Sequence, residues 1–290
     1  MGNDNSKKNT ATSDKDPNLD KSSEIKFQEY IKSNTGFPSI DSNLDKEYHH
    51  NEIVLKVWGS NFFSPIESTL KDGDAKVLDI GCGFGTWVCD MAKTYPLSHF
   101  TGIDIVNRKD VMPSNVCIAQ ADVLKELQYP DCSFDYIHIK DLLWSISSKD
   151  AQTKLFPELL RILKPGGWIE NMEFDMKFIN PGPNTKFLGD ALFSFLRNKG
   201  VCSEDFYKNA VKLFKDNNIE YQFEERMLCF TDHDELKQKF ITFFEVVKSM
   251  ILEYTSISYE KYDEMLDKSS IELDEYKTSF RLIRHFGKKL

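Results

Sequence analysis

Residues 77–87 combine an aspartate with three alternating glycines. An apolar run that contains Asp79 is followed by Gly81, Gly83 and Gly85, and an apolar helical pattern resumes after them. A strand that ends in a glycine-rich turn before a helix brings bare backbone close to a ligand, because glycine tolerates positive φ and has no Cβ. The pattern therefore predicts a ligand-binding loop between a strand and a helix.

The spacing of these glycines excludes two common phosphate-binding loops. The dinucleotide pattern G-x-G-x-x-G fails in both frames, because Thr86 and Val88 stand at its last position. A P-loop requires Gly-Lys at a position where this chain has Thr86-Trp87. The remaining pattern, D-x-G-x-G-x-G, favours an adenosyl ligand that carries no phosphate.

Two further aspartates follow strand-like apolar runs. Asp104 lies 19 residues after Gly85, which fits the ~20-residue offset of a carboxylate that accepts hydrogen bonds from ribose hydroxyls. A solvated side chain or a helix cap is the alternative. Asp122 is suited to an adenine amino group, with Val123 packed on the ring. An N-cap of the short helix that follows is the alternative.

The elements that must position these residues alternate from residue 75 onward between apolar strands and amphipathic helices. Short connections between buried strands predict an α/β fold with a doubly wound, mostly parallel, seven-stranded sheet. The strand-like runs include Lys76–Ile80 and Val116–Gln120, and a short turn is expected at Leu124–Leu127. After about residue 173 helical patterns dominate, near 185–199, 203–216, 234–255 and 259–268, and 14 of the 22 Phe lie there. The last strand is expected over Tyr276–Ile283. We expect a polar, disordered tail and lead-in over 1–45, and one domain over 46–290 whose cap elements occupy about 177–275.

Composition narrows the function further. The net charge of −9 argues against a nucleic-acid-binding surface over the whole chain. No apolar run approaches the ~20 residues that span a bilayer. The six cysteines form no C-x-x-C pair and no clustered metal-ligand pattern, so we expect reduced thiols and no metal site. Reduced thiols favour a cytoplasmic protein, with nuclear or membrane-associated placement as alternatives.

The N-terminal residues carry a separate lipidation signal. Residues 1–6 fit M-G-x-x-x-[ST], which makes Gly2 a candidate for N-myristoylation. A single acyl chain gives only marginal membrane binding. The basic and acidic residues of the tail nearly cancel, so we expect at most weak membrane association.

Together these motifs resemble the class I S-adenosylmethionine-dependent methyltransferases. The matching segments are Val77–Gly85, Gly102–Asp104, Ala121-Asp122, Ser133–Lys140 and Leu163–Glu170. Within that class the chain more closely resembles the fungal-type methyltransferases grouped with the LaeA-like regulators of secondary metabolism. That closer resemblance is carried by His49-His50, Trp58–Pro65, Tyr95-Pro96, Phe134–Lys140, Lys164–Glu170 and Glu173–Asp175. It covers about 46–175 well, and the cap only in layout.

The resemblance implies S-adenosylmethionine as the cofactor and gives each strand end a role. Asp79 would meet the methionine ammonium, the glycines would let backbone approach the methionine part, Asp104 would hold the ribose and Asp122 the adenine. The segment Trp58–Pro65 would close over the methionine end, although a core role fits Trp58 equally. The implied cofactor-binding residues are Asp79, Gly81, Cys82, Gly83, Gly85, Asp104, Ile105, Asp122 and Val123, and the substrate-facing ones are Lys140, Asp141 and Trp144.

The implied cofactor would donate its methyl group from a sulfonium. This transfer requires the methyl group and the acceptor to be close and aligned. It requires a base only where the acceptor must lose a proton. His138 is better explained as a packed histidine, so we name no catalytic base. We expect a small-molecule acceptor, and the Phe-rich cap suggests an apolar pocket. The alternatives are a regulatory protein that binds S-adenosylmethionine and acts through a protein partner, and a protein methyltransferase.

Overall fold

A seven-stranded sheet forms the centre of the computed structural model, which describes residues 44–106, 112–201, 211–232 and 234–290. The strands are β1 (Lys76–Ile80), β2 (His99–Asp104), β3 (Val116–Gln120), β4 (Phe134–Lys140), β5 (Leu163–Ile179), β6 (Ile219–Cys229) and β7 (Ser279–Lys289). Their order is β3-β2-β1-β4-β5-β7-β6. β7 is antiparallel to β5 and β6, whereas β1 to β5 pair in parallel. The predicted α/β architecture is confirmed.

Helices lie on both faces of the sheet and beyond one of its edges. They are α1 (Leu44–Trp58), α2 (Glu67–Asp72), α3 (Thr86–Thr94), α4 (Ser148–Asp150), α5 (Phe156–Ile162), α6 (Pro183–Asn198), α7 (Asp234–Val246), α8 (Lys248–Thr255) and α9 (Tyr259–Glu275). A π-helical stretch, Ala151–Leu155, joins α4 to α5. No helix of the described ranges is both long and apolar enough to cross a bilayer.

The core divides into three apolar clusters because β1 and β4 are buried on both faces. Leu78 and Ile80 face the α4–α5 side, while Val77 faces α2 and α3. A third cluster joins α1 and α6 to α9 to the sheet through Met172 and Leu282. Each fully buried side chain of this size contributes about 1.5–3 kcal/mol. The C-terminal helices therefore share one apolar cluster with α1 and with β5 and β7.

Several predicted boundaries move in the structure. β1 and β3 have the predicted limits, but the helix predicted over 234–255 is two helices that break at Val247. α9 continues to Glu275, and the last strand begins at Ser279 instead of Tyr276. The limits of this strand were mispredicted because charged side chains interrupt its apolar pattern. The strand pairs on both sides and buries Arg284 and His285.

Some predictions lie outside the described residues. They include the tail up to residue 43 with Gly2, and part of the helix predicted over 203–216, of which 211–216 is described and helical. The side chains of His49 and His50 are also outside the description. The short turn predicted at Leu124–Leu127 is present slightly earlier, where the Lys125 N–H donates to the Asp122 carbonyl at 3.0 Å.

Candidate functional site

The glycine loop adopts the left-handed backbone that its composition predicts. Gly81, Gly83 and Gly85 have φ of 69°, 56° and 77°. A Cβ on Gly81 would lie 2.9 Å from Leu142 Cδ1, so the loop packs against the segment that follows β4. Cys82 is buried and lies against Gly102, where an added Cβ would come within 2.8 Å of its Sγ. The loop thus runs close to β2 and ends at the first residue of α3.

Asp104, at the end of β2, is bonded to the glycine loop. Its Oδ2 accepts from the Gly83 backbone N–H at 3.0 Å, and its Oδ1 accepts from the Val106 N–H at 2.9 Å. Because a carboxylate offers about four lone-pair directions, both oxygens can accept further donors. The structure therefore brings together the two features that the sequence placed at the cofactor, the loop and the second-strand carboxylate.

The end of β3 lies beside this pair. Asp122 Oδ1 accepts from the Leu124 N–H at 3.0 Å, so the side chain stabilises the following turn, as one of the two sequence interpretations predicted. Val123 is buried in the core cluster of the α4–α5 face. The Ile105 carbonyl accepts from Gln120 Nε2 at 2.8 Å and links the β2 and β3 ends.

Asp79 contacts a histidine on the neighbouring strand. Its Oδ1 lies 2.8 Å from His138 Nδ1, and both side chains are buried. The imidazole stacks on the Trp87 indole with ring centroids 3.7 Å apart and an interplanar angle of 4°. His138 is therefore packed, as expected.

A polar chain connects β4 to α1 and α3. Lys140 Nζ donates to Asn51 Oδ1, and Asn51 Nδ2 donates to Thr86 Oγ1. Thr86 is the first residue of α3, directly after the glycine loop. Through Asn51, helix α1 is thus attached beside the loop. Sequence analysis did not find Asn51, since a single Asn in an amphipathic helix carries no distinguishing signal.

Two carboxyl groups lie near the end of β4, one on the following loop and one within β5. Glu173 is fully buried, and its Oε1 accepts from the backbone N–H groups of Leu142 and Leu143, both at 3.1 Å. Burial, together with the nearby Asp141 charge, raises the pKa of Glu173 well above its ordinary value. Asp141 has a φ of 52°, which is unusual for a residue with a side chain. Glu173 thus holds the loop of Lys140 to Trp144 in place.

Helix α7 closes the other side of this region. Phe243 lies against Trp144, with ring centroids 6.3 Å apart, and Phe193 of α6 contacts the same indole at 6.4 Å. Lys239 lies one turn before Phe243, and its charge interacts with those of Lys140 and Asp141. The expected substrate-facing residues therefore share one region with an aromatic wall. Lys239 was missed, although it is a lysine beside the buried Leu236 and Phe240.

The segment Trp58–Pro65 is anchored to the sheet. Glu170 accepts from the backbone N–H groups of Phe63 and Ser64, both at 2.9 Å, and Arg284 donates to the Ser60 carbonyl at 3.0 Å. Arg284 also lies over the Trp58 ring. Trp58 is buried in the core cluster of the C-terminal helices, so the core interpretation of this side chain is confirmed.

No group of three or more His, Cys, Asp or Glu side chains within the described ranges is arranged to hold a metal ion. The site consists of a backbone loop, a carboxylate at each neighbouring strand end, and a charged and aromatic region after β4. Comparison with known proteins gives this arrangement a family. Residues 77–167 match the family model described as a methyltransferase domain.

These residues form a methyltransferase domain. The match confirms the resemblance to S-adenosylmethionine-dependent methyltransferases and the cofactor class that the resemblance implied. It covers β1 to the beginning of β5, and so includes the glycine loop, Asp104, Asp122 and Lys140.

Curated proteins also match about half of this chain. The secondary metabolism regulator laeA of Coprinopsis cinerea is 28% identical over 154 residues, which is 51% of this chain and 38% of that protein. The secondary metabolism regulator LAE1 of Cochliobolus heterostrophus is 34% identical over 148 residues, or 49% of this chain and 46% of its own length. The chain thus spans less than half of these relatives.

Among solved structures, a putative methyltransferase from an antibiotic biosynthesis pathway of Anabaena variabilis aligns with a TM-score of 0.50 at 14% identity. The alignment covers 82% of this chain and 96% of that one. At this identity the likeness concerns the fold, and it extends beyond the methyltransferase domain model into the C-terminal half.

Proposed function

We propose that this chain transfers the methyl group of S-adenosylmethionine to a small-molecule acceptor. The observation that carries the proposal is the bond between the Gly83 N–H and Asp104, because it joins the glycine loop to the carboxylate at the end of β2. Parallel strands present their carboxyl ends at one edge, where ligands bind in open α/β sheets. A bound adenosyl group would contact the backbone of the glycine loop, and its ribose hydroxyls would donate to the Asp104 carboxylate.

We assign the cofactor to Asp79, Gly81, Cys82, Gly83, Gly85, Asp104, Ile105, Asp122 and Val123, as the resemblance implied. Several of these residues also have structural roles. Asp122 caps its own turn, and Asp79 is bonded to His138. We place the methyltransferase unit at 46–290, with the cap over about 177–275.

A small acceptor is favoured by the enclosure of the region after β4. Trp144 is bounded by Phe193 and Phe243, and Glu173 is fully buried beneath the loop that carries it. Aromatic walls with a few polar groups are typical of small-molecule sites. A protein substrate would need an open groove for an extended chain.

Calorimetric titration with S-adenosylhomocysteine tests the cofactor part. We expect binding by the wild type and a large loss in Asp104→Ala, whereas Asp190→Ala, at an exposed carboxylate of α6, keeps it. Circular dichroism must show that both variants remain folded, since Asp104 also bonds Gly83 and Val106. Binding that survives Asp104→Ala unchanged contradicts the proposal.

The acceptor part is tested with S-adenosylmethionine labelled in its methyl group. We expect label from an incubation with cell extract to enter the small-molecule fraction. Label in the protein fraction favours the protein methyltransferase alternative.

A regulatory S-adenosylmethionine-binding protein is the second candidate. The observation that favours it is the printed description of both curated relatives as secondary metabolism regulators. It predicts binding of S-adenosylhomocysteine without turnover in the labelling experiment, and acceptance of label by small molecules contradicts it.

A further inference from the structure

The indole of Trp87 connects the segment Trp58–Pro65 with the carboxylate of Asp79. Its Nε1 donates to the Asn61 carbonyl at 3.0 Å, and its ring stacks on the His138 imidazole with ring centroids 3.7 Å apart. The His138 Nδ1 lies 2.8 Å from Asp79 Oδ1. Three consecutive contacts thus lead from a backbone carbonyl of this segment to a residue that we assign to the cofactor.

The Asn61 carbonyl, where these contacts begin, belongs to backbone that is bonded to the sheet. Glu170 of β5 is fully buried and accepts from the backbone N–H groups of Phe63 and Ser64, both at 2.9 Å, and from the Ser64 hydroxyl at 2.8 Å. Asn61 precedes Phe63 by two residues. Because a hydrogen bond weakens steeply away from linear geometry, its carbonyl selects one orientation of the Trp87 indole.

Each of the following contacts restricts one more side chain. The interplanar angle of 4° between Trp87 and His138 fixes the plane of the imidazole, and the bond from Nδ1 then orients the Asp79 carboxylate. All three side chains are buried, so water does not compete for these contacts. Close-packed side chains do not reorient independently of their neighbours. The orientation of the Asp79 carboxylate therefore depends on Trp87.

A packing role alone does not account for these polar groups. Trp87 lies in the apolar cluster on the α2–α3 face of the sheet. Burial of an indole N–H, an imidazole and a carboxylate is costly unless they are bonded, and apolar side chains of similar volume would fill the space without that cost. A bonded polar network instead holds a functional group in one orientation.

The position of Asp79 makes its orientation matter for a ligand. It is the second-last residue of β1, two residues before Gly81, at the strand end where ligands bind in open α/β sheets. Its side chain keeps 5% of its surface exposed. A carboxylate there is suited to an ammonium group, because two opposite charges attract more strongly away from bulk water. Their attraction depends on distance, and hence on how the carboxylate is held.

We propose that Trp87 is a positioning residue for the methionine end of S-adenosylmethionine, and that it acts through His138 on Asp79. This inference rests on the proposed function, in which Asp79 is assigned to the cofactor. It gives the segment Trp58–Pro65 an indirect role at the site. The Asn61 carbonyl orients the indole, and the indole keeps the Asp79 carboxylate directed at the ammonium group.

The test compares two ligands by calorimetry. 5′-Methylthioadenosine has the adenosine and the thioether of S-adenosylhomocysteine but lacks its ammonium and carboxylate groups, and we expect the wild type to prefer S-adenosylhomocysteine. Trp87→Phe keeps a ring beside His138 but loses the Nε1 donor. It should reduce this preference roughly tenfold, the size of one hydrogen bond to a charged group, while the affinity for 5′-methylthioadenosine stays unchanged.

Trp168→Phe is the matched control. Trp168 lies in the same apolar cluster, where its ring contacts Phe286 instead of His138. The variant makes the same change in side-chain size and should keep the preference. A substitution that only loosens the fold weakens the binding of both ligands alike. An unchanged preference in folded Trp87→Phe therefore overturns the inference.

A second variant decides the matter if Trp87→Phe does not fold. His138→Asn retains a side-chain N–H for Asp79 but removes the ring that stacks on Trp87, so the preference should also fall. Asp79→Asn should lose the preference, and the addition of Trp87→Phe should then lower it no further. A full preference in folded His138→Asn, or a further loss in the double variant, contradicts the inference.

The result is separable from that of the proposed function. If S-adenosylhomocysteine does not bind to the wild type, the proposed function fails. If it binds without a preference over 5′-methylthioadenosine, or if folded Trp87→Phe keeps the full preference, only the positioning inference fails.

Discussion

Asp79 and His138 face each other directly across the pairing of β1 and β4, and their side chains are joined at 2.8 Å between Oδ1 and Nδ1. Both are buried, so neither has water as an alternative partner. The bond links the strand that precedes the glycine loop to the strand that ends at Lys140. It also holds His138 flat against Trp87, whose Nε1 donates to the Asn61 carbonyl at 3.0 Å.

Replacement of this histidine should therefore affect stability. His138→Phe retains a ring on Trp87 but leaves the Asp79 carboxylate without that partner, and we expect a loss of about 1–3 kcal/mol. The free energy of unfolding from urea denaturation measures it. In a double-mutant cycle with Asp79→Asn, the two changes should be non-additive. Additive effects would mean that the pair does not act as a unit.

The buried contact between Arg284 and Glu170 should be a second stability determinant. Both side chains are almost fully buried, with Nη1 and Oε1 3.4 Å apart. Arg284→Met leaves an uncompensated carboxylate, and we expect a loss of about 3–5 kcal/mol in the free energy of unfolding. Lys186→Met, in an exposed pair with Asp190, is the matched control and should change little. An equal effect of the two variants would contradict this expectation.

Glu272 should make stability depend on pH. Its carboxylate accepts from the Thr185 N–H and Oγ1 at 2.8 and 2.9 Å, and from the Asn184 N–H at 3.1 Å. Burial opposes its charge, but these hydrogen bonds outweigh burial and lower the pKa of Glu272. The stability from a lowered carboxyl pKa is present above the unfolded value of about 4.3, and it is lost as the pH falls through the folded value.

Glu272→Gln should therefore cost about 1–3 kcal/mol near neutral pH. The difference from the wild type should shrink as the pH falls below the ordinary glutamate range. Urea denaturation at a series of pH values measures both quantities. A difference that is constant with pH would show that the charge of Glu272 is not involved.

Gly102 should control the position of the glycine loop. An added Cβ would lie 2.5 Å from Ile118 Cδ1 and 2.8 Å from Cys82 Sγ, so Gly102→Ala must displace the loop residue or the β3 side chain. We expect a destabilisation of about 1–3 kcal/mol and weaker binding of S-adenosylhomocysteine in calorimetry. Gly200→Ala, where a Cβ meets nothing within 4 Å, should keep that binding. Normal binding by Gly102→Ala would contradict the close approach.

Local patterns predicted the sheet better than they predicted the end of the chain. The apolar runs of β1 and β3 are continuous, so their limits were correct from sequence. β7 was placed too early because Arg281, Arg284 and His285 interrupt its apolar pattern, and their partners come from other strands. The break at Val247 was also missed, because the helical periodicity continues on both sides of it.

The sequence by itself determined the glycine loop, the carboxylates at the strand ends and the α/β class, because each depends on residue type and short spacing. Only the tertiary structure decided that Asp79 pairs with His138 and that Asn51 reaches Thr86 and Lys140. These contacts join residues 35 to 89 positions apart. Strand order and helix packing create them, and neither is encoded in local periodicity. The glycine loop is therefore a local feature, whereas the surroundings of Lys140 depend on the complete fold.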